Sequence, residues 1–133
     1  MAEDIDEIRE RKREELKNRQ SEAAGTPTEP IAVEGGADLR SAADEYGVVL
    51  VDFYADWCGP CQMLEPVVER IAEETDATVA KVDVDANQQL ASEYGVRGVP
   101  TMVLFADGKP VERLVGMQDE SKLRNLIASH TGA

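Results

Sequence analysis

Between residues 31 and 131 the apolar positions come in short blocks whose spacing switches between the period of a strand and that of a helix. Ile31 to Val33 reads as a short strand, and a helix is predicted from about Asp38 to Tyr46, stopped by Gly47. Val48 to Tyr54 is an apolar run interrupted by one acid, Asp52, and predicts the central strand. From Pro60 to about Thr75, Leu64, Val67, Val68 and Ile71 fall at i, i+3, i+4 and i+7, one helical face, with Pro66 expected to kink the helix. Thr78 to Asp85 alternates, with Ala80, Val82 and Val84 on one side, and a short helix around Gln88 to Tyr94 is predicted to end at Gly95. Thr101 to Ala106 and Pro110 to Val115 are β runs around Asp107-Gly108, a hairpin turn pair. A final helix covers about Asp119 to His130, with Leu123, Leu126 and Ile127 on its apolar face. Strands alternating with helices predict an α/β fold, a helix-covered sheet with parallel crossovers.

Residues 1 to 30 stand apart from this alternation. Residues 3 to 19 are almost solidly charged, with apolar side chains only at Ile5, Ile8 and Leu16, too few for a wide buried stripe. Glu7 precedes Arg11 and Glu15 precedes Arg19 by four positions, so a solvated helix is expected there. Gln20 to Pro30 has the composition of a linker. The chain therefore divides into a charged tail with its linker, residues 1–30, and one compact domain, residues 31–133.

Charge narrows the function classes. There are 27 acidic and 14 basic residues, a formal net charge of -13, and such a surface repels nucleic acid and anionic membranes. Residues 1 to 20 hold seven acids and six bases, so the imbalance belongs to the folded part. Many carboxylates with only five lysines suit a protein kept soluble in concentrated salt; an ordinary acidic protein kept apart by self-repulsion is the simpler alternative. The start of the chain lacks the basic and apolar segments of a secretory signal, and no stretch reaches the roughly 20 apolar residues of a membrane helix. A soluble cytoplasmic protein is expected.

The only two cysteines lie in Trp57-Cys58-Gly59-Pro60-Cys61, at a junction from strand to helix. This spacing reads as a redox dithiol. At the first turn of a helix, unpaired N–H groups and the positive end of the macrodipole favour a thiolate at Cys58. Pro60 fits there because the first turn does not need its missing N–H. Cys58 is thus assigned the attack on a substrate disulfide, and Cys61, three residues on, the resolution of the mixed disulfide. Three other readings compete. A structural disulfide across so short a loop removes little unfolded-state entropy; a zinc site needs about four ligands, with only His130 left as a good donor; two inert core cysteines would not need the aromatic and Gly-Pro around them.

Asp52 is the second signal, because an acid in an apolar strand is costly to bury as the anion. Burial raises its pKa, which makes it a candidate general base for Cys61, acting through water. The alternative is a solvated acid on an edge strand. Lys81, on a neighbouring strand, is a candidate partner for Asp52. Val99-Pro100-Thr101 is the third signal, with proline at the first position of a strand. A turn there could free the Val99 backbone to pair with an extended substrate; ordinary loop punctuation is the alternative.

Val51-Asp52-Phe53-Tyr54-Ala55-Asp56-Trp57-Cys58-Gly59-Pro60-Cys61, followed by Gly98-Val99-Pro100-Thr101, resembles the thioredoxin family. Pro66, Lys81-Val82-Asp83-Val84-Asp85, Phe105-Ala106-Asp107-Gly108 and Val115-Gly116 extend the resemblance from about residue 31 to residue 131. It implies the thioredoxin fold, a mixed β-sheet flanked by helices, a cis bond before Pro100, and protein disulfide reductase activity with no cofactor or metal beyond the Cys58-Cys61 pair. Position by position it implies that Cys58 and Cys61 are the redox pair, supported by Gly59 and Pro60, that Asp52 is the family's buried acid and that Lys81 is its neighbour. Trp57, Gly98, Val99, Pro100 and Gly116 match its substrate-facing surface. It further implies a monomer reduced by a thioredoxin reductase, with clients such as ribonucleotide reductase, peroxiredoxins and methionine sulfoxide reductases. Gln62 departs from the family's usual Lys or Arg, and Tyr54 from a common Trp. A disulfide oxidase or isomerase on the same fold, or a redox-sensitive binding module, is the competing function.

Overall fold

A computed structural model describes residues 26–131; the predicted charged helix over residues 3 to 19 lies outside them. In chain order the elements are β1 (Ile31–Ala32), α1 (Gly35–Glu45), β2 (Val48–Tyr54), α2 (Gly59–Glu74), β3 (Thr78–Asp83), α3 (Gln88–Glu93), β4 (Thr101–Ala106), β5 (Lys109–Val115) and α4 (Glu120–Thr131). The five strands form one sheet in the order β1-β3-β2-β4-β5. The β1–β3 and β3–β2 pairs are parallel, and the β2–β4 and β4–β5 pairs antiparallel. The sheet is therefore mixed, and β2 is its middle strand.

Period-two alternation along β2 divides the core into two layers. Val48 and Leu50 face Leu64, Val68 and Ile71 of α2 and Leu123 and Ile127 of α4. Val49, Val51 and Phe53 face the opposite layer, with Leu39 of α1 and Leu90 of α3. Asp52, two residues after Leu50, consequently falls on the α2 face. It is fully buried, which removes the reading of a solvated acid on an edge strand.

Several element ends differ from expectation for local reasons. α1 starts at Gly35, not near Asp38, because two acceptors satisfy donors at its N-terminus. The Asp38 carboxylate accepts from the Glu34 N–H and the Asn87 side-chain oxygen from the Gly35 N–H, both at 2.8 Å. β3 stops at Asp83, not Asp85, since Asp83 Oδ1 accepts from the Asp85 N–H at 2.9 Å and turns the chain. β1 ends one residue early, although the Val33 N–H still reaches the Lys81 carbonyl at 3.0 Å. α2 runs on through Pro66. The Asp107-Gly108 turn has φ of 52° and 82°, the left-handed pair that a two-residue hairpin requires.

Candidate active site

Cys58 is the N-cap of α2, with extended backbone, φ -90° and ψ 111°. Its Sγ accepts a hydrogen bond from the Cys61 N–H at 3.1 Å, so the sulfur takes the place that an oxygen occupies in an ordinary cap. The first turn of α2 thus aims a donor at this sulfur and not at Cys61, an asymmetry that favours negative charge on Cys58. Gly59 and Pro60 form that first turn. The two cysteines are joined as a disulfide, their Cα atoms 5.2 Å apart, and both residues are buried.

Trp57, immediately before, is 71% exposed, and its indole N–H donates to Asp85 Oδ2 at 2.9 Å. On the other side Val99 packs against the cluster formed by Ala55, Cys58 and Cys61. The Val99-Pro100 bond is cis, as the resemblance implies. The Gly116 N–H donates to the Pro100 carbonyl at 2.8 Å, and Thr101 Oγ1 donates to the Gly98 carbonyl at 2.7 Å. Backbone hydrogen bonding therefore links the loop carrying Gly98, Val99 and Pro100 to the end of β5, where Gly116 has a φ of 85°. Trp57 joins the site from the opposite side, through β3 and its Asp85 turn.

Asp52 lies beneath α2, in register with Lys81 on β3 and Met102 on β4. Neither of its carboxyl oxygens has a hydrogen-bond partner among the described residues. Desolvation pushes its pKa up to about 6; the Lys81 charge opposes this and the Glu65 charge adds to it. Lys81 is the neighbour of Asp52 across the sheet, and its charge reaches the carboxyl. Its ammonium lies 3.5 Å from Glu65 Oε1 and 4.3 Å from the Tyr54 ring centroid, so it acts on Asp52 through space and not by a hydrogen bond.

A crevice of about 350 Å³ opens beside Cys61, lined by Tyr54, Asp56, Gln62, Glu65 and Lys81. Gln62, the departure from the resemblance, donates its side-chain amide to the Asp56 carbonyl at 2.9 Å and ties the loop before the cysteines to α2. Sequence reasoning missed Glu65 and Asp85. Glu65 sits four residues after Cys61, so helical periodicity could have placed it on the Cys61 face. Asp85 lies 28 residues from Trp57, and no local signal joins them. Among the described residues, no group of three or more His, Cys, Asp or Glu side chains is set to hold a metal ion.

Comparison with known proteins agrees with this geometry. The family model for Thioredoxin matches residues 37–129. The chain belongs to the thioredoxin family. It is 52% identical to thioredoxin from Chlamydia muridarum over 85 residues, 63% of this chain and 83% of that protein. Among solved structures it resembles a mutant thioredoxin from Halobacterium salinarum, with 65% identity, a TM-score of 0.78, and coverage of 80% of this chain and 94% of that one. Thioredoxin from Fasciola hepatica gives 43% identity and a TM-score of 0.70, covering 75% of this chain and 98% of that one. The fold is the thioredoxin fold, and the Cys58-Cys61 pair makes the chain a thiol-disulfide oxidoreductase, a protein-disulfide reductase.

Proposed function

We propose that Cys58 attacks the client disulfide, that Cys61 resolves the resulting mixed disulfide, and that Asp52 is the base that takes the Cys61 proton. The observation that carries this reading is the Cys61 N–H aimed at Cys58 Sγ at the start of α2. That donor stabilises the attacking thiolate, whereas Cys61, three residues into the turn, needs a base to become nucleophilic. Asp52, raised to about 6, is matched to that task near neutral pH. Trp57, Gly98, Val99, Pro100 and Gly116 form the client-facing surface, with the Val99 backbone pairing to an extended client segment. Lys81 tunes Asp52, and Gly59 and Pro60 shape the turn.

Reducing equivalents come from a thioredoxin reductase and pass to disulfide-bonded proteins of the kinds reduced by the family: ribonucleotide reductase, peroxiredoxins and methionine sulfoxide reductases. The reaction needs no cofactor beyond the cysteine pair. The protein works in the cytoplasm as a monomer, with residues 31–133 as the working domain and residues 1–30 as a tail and linker. No helix among the described residues is long and apolar enough to cross a membrane. The net charge of -13 disfavours nucleic acid as a partner.

The test is trapping. Cys61→Ser is expected to accumulate covalent client complexes that a reductant releases, and Cys58→Ser to accumulate none. Complexes on Cys58→Ser alone would reverse the assignment. Equilibration of the pair with glutathione buffers gives a potential more reducing than glutathione for a reductase; a markedly more oxidising value would move the chain to the oxidase or isomerase reading.

A further inference from the structure

Glu65 follows Cys61 by one helical turn on α2 and therefore shares its face. Its carboxylate lies 3.5 Å from Lys81 Nζ, and the same ammonium stands over the Tyr54 ring, 4.3 Å from its centroid. Glu65, Lys81, Tyr54 and Cys61 all line the one crevice. Across the sheet, Lys81 is in register with Asp52. One cation is thus placed between a buried carboxyl that lacks a hydrogen-bond partner among the described residues and a half-exposed carboxylate that contacts it.

We propose that Glu65 is a positioning residue for the resolution step: it holds the Lys81 ammonium in the crevice over Tyr54, out of hydrogen-bond contact with Asp52, and so sets the pH at which Asp52 accepts the Cys61 proton. This rests on the reading of Asp52 as the base. In the step itself the Cys61 thiol gives its proton to the Asp52 carboxylate, and the thiolate forms the Cys58-Cys61 bond. The bond between Cys58 and the client sulfur breaks, and the client sulfur leaves with its electron pair as a thiolate that is protonated by solvent. The two electrons lost by the cysteine pair are those gained by the client.

The charged and titratable groups around Asp52 are few. β3 supplies Lys81, α2 supplies Glu65 and carries Cys61, and β4 supplies only the apolar Met102 in register. On β2 itself Tyr54 lies two residues on; its phenol is raised by burial and then by Asp83, Asp56, Asp52 and Glu65. Of the two charges that act on Asp52, Glu65 raises its pKa and Lys81 lowers it. Neutralising Glu65 removes its own repulsion and also frees Lys81 to turn toward Asp52. Both changes favour the Asp52 anion.

The experiment uses the full chain labelled with carbon-13 at the aspartate carboxyls, with the Asp52 signal assigned by its loss in Asp52→Asn. Its titration midpoint is read by NMR in the reduced protein. The pH profile of resolution is read by stopped flow with dithiobis(nitrobenzoate), whose second coloured thiolate is released when Cys61 attacks. Glu65→Gln is expected to lower both midpoints by about half a pH unit or more, Glu65→Asp to restore them, and Lys81→Met to raise them. An unmoved carboxyl midpoint in Glu65→Gln overturns the proposal at Glu65. A moved carboxyl midpoint with an unmoved resolution profile overturns it at the other end, by removing Asp52 as the base.

Discussion

Asp52 and Lys81 face each other in register across β2 and β3, yet the Lys81 ammonium contacts Glu65 and Tyr54 and leaves the carboxyl of Asp52 without a hydrogen bond among the described residues. A buried acid in this position has a cost that depends on its protonation state. Its consequences for stability and for chemistry have opposite signs.

The stability consequence follows from linkage. Asp52 has its pKa raised to about 6 from 3.8, so the folded state holds the proton more tightly than the unfolded chain does. Its protonated form carries no charge penalty below the unfolded value, and stability is lost as pH rises toward and through about 6. Asp52→Asn removes the charge without removing volume. We expect it to be more stable than the parent at about pH 8, by up to about 3 kcal/mol, and the gain to vanish at about pH 4. Urea unfolding at the two pH values checks this; a variant no more stable at the higher pH would contradict it. The same variant should slow resolution by about a hundredfold or more, the range of a lost general base.

Much of this site was legible in the chain because its parts are local. The strand Val48 to Tyr54, the turn at Cys58 and the α2 face of Leu64, Val68 and Ile71 each follow from spacing over a few residues. The burial of Asp52 was legible from its apolar flanks, Leu50, Val51 and Phe53. What escaped depends on contacts across long stretches of sequence. The hydrogen bond between Trp57 and Asp85 and the contact of Lys81 with Glu65 exist only once β3 is docked beside β2. The same holds for Arg113 of β5, whose guanidinium donates to the carbonyls of Tyr94 and Gly95 just beyond α3.

A further set of long-range contacts ties α2 to α4. Glu120 accepts from Arg70 at 2.7 Å and from Arg124 at 2.9 Å, and Arg124 also reaches Glu74 at 2.6 Å. Hydrogen bonds from Arg70, then from Arg124, lower the Glu120 pKa to about 2 from 4.5. A depressed acid contributes stability above its unfolded pKa and loses it as pH falls through the folded one. Glu120→Gln is therefore expected to lower the urea midpoint slightly at neutral pH and to match the parent near pH 2. An equal deficit at both pH values would show that packing, not charge, accounts for the loss.

Salt should act on the whole molecule in the opposite sense to its action on this network. Residues 21 to 133 hold 20 acids against eight bases, so self-repulsion works against the compact state. The screening length falls from about 10 Å at 0.1 M to about 3 Å at 1 M salt. We expect the thermal midpoint of the parent to rise across that range, and Glu120→Gln to lose part of its deficit as the ion pairs are screened. A midpoint that is flat or falls would remove self-repulsion as the dominant electrostatic effect.

Trp57 offers the most direct view of the proposed client surface, because it is the only tryptophan and is 71% exposed. Its indole is held by Asp85, itself fixed by the turn in which Asp83 Oδ1 accepts the Asp85 N–H. An exposed aromatic that is already oriented loses less freedom when a client docks, which is an advantage in binding. Asp85→Ala removes the anchor and leaves the ring. Because the contact is exposed, global stability should change by no more than about 0.5 kcal/mol. The indole itself should become more mobile, seen as lower fluorescence anisotropy at unchanged molecular size. With a protein disulfide as substrate, KM should rise severalfold while the rate at saturation holds, the pattern of lost binding and not of lost chemistry. A fall in the saturated rate with KM unchanged would instead place Asp85 in the chemical step.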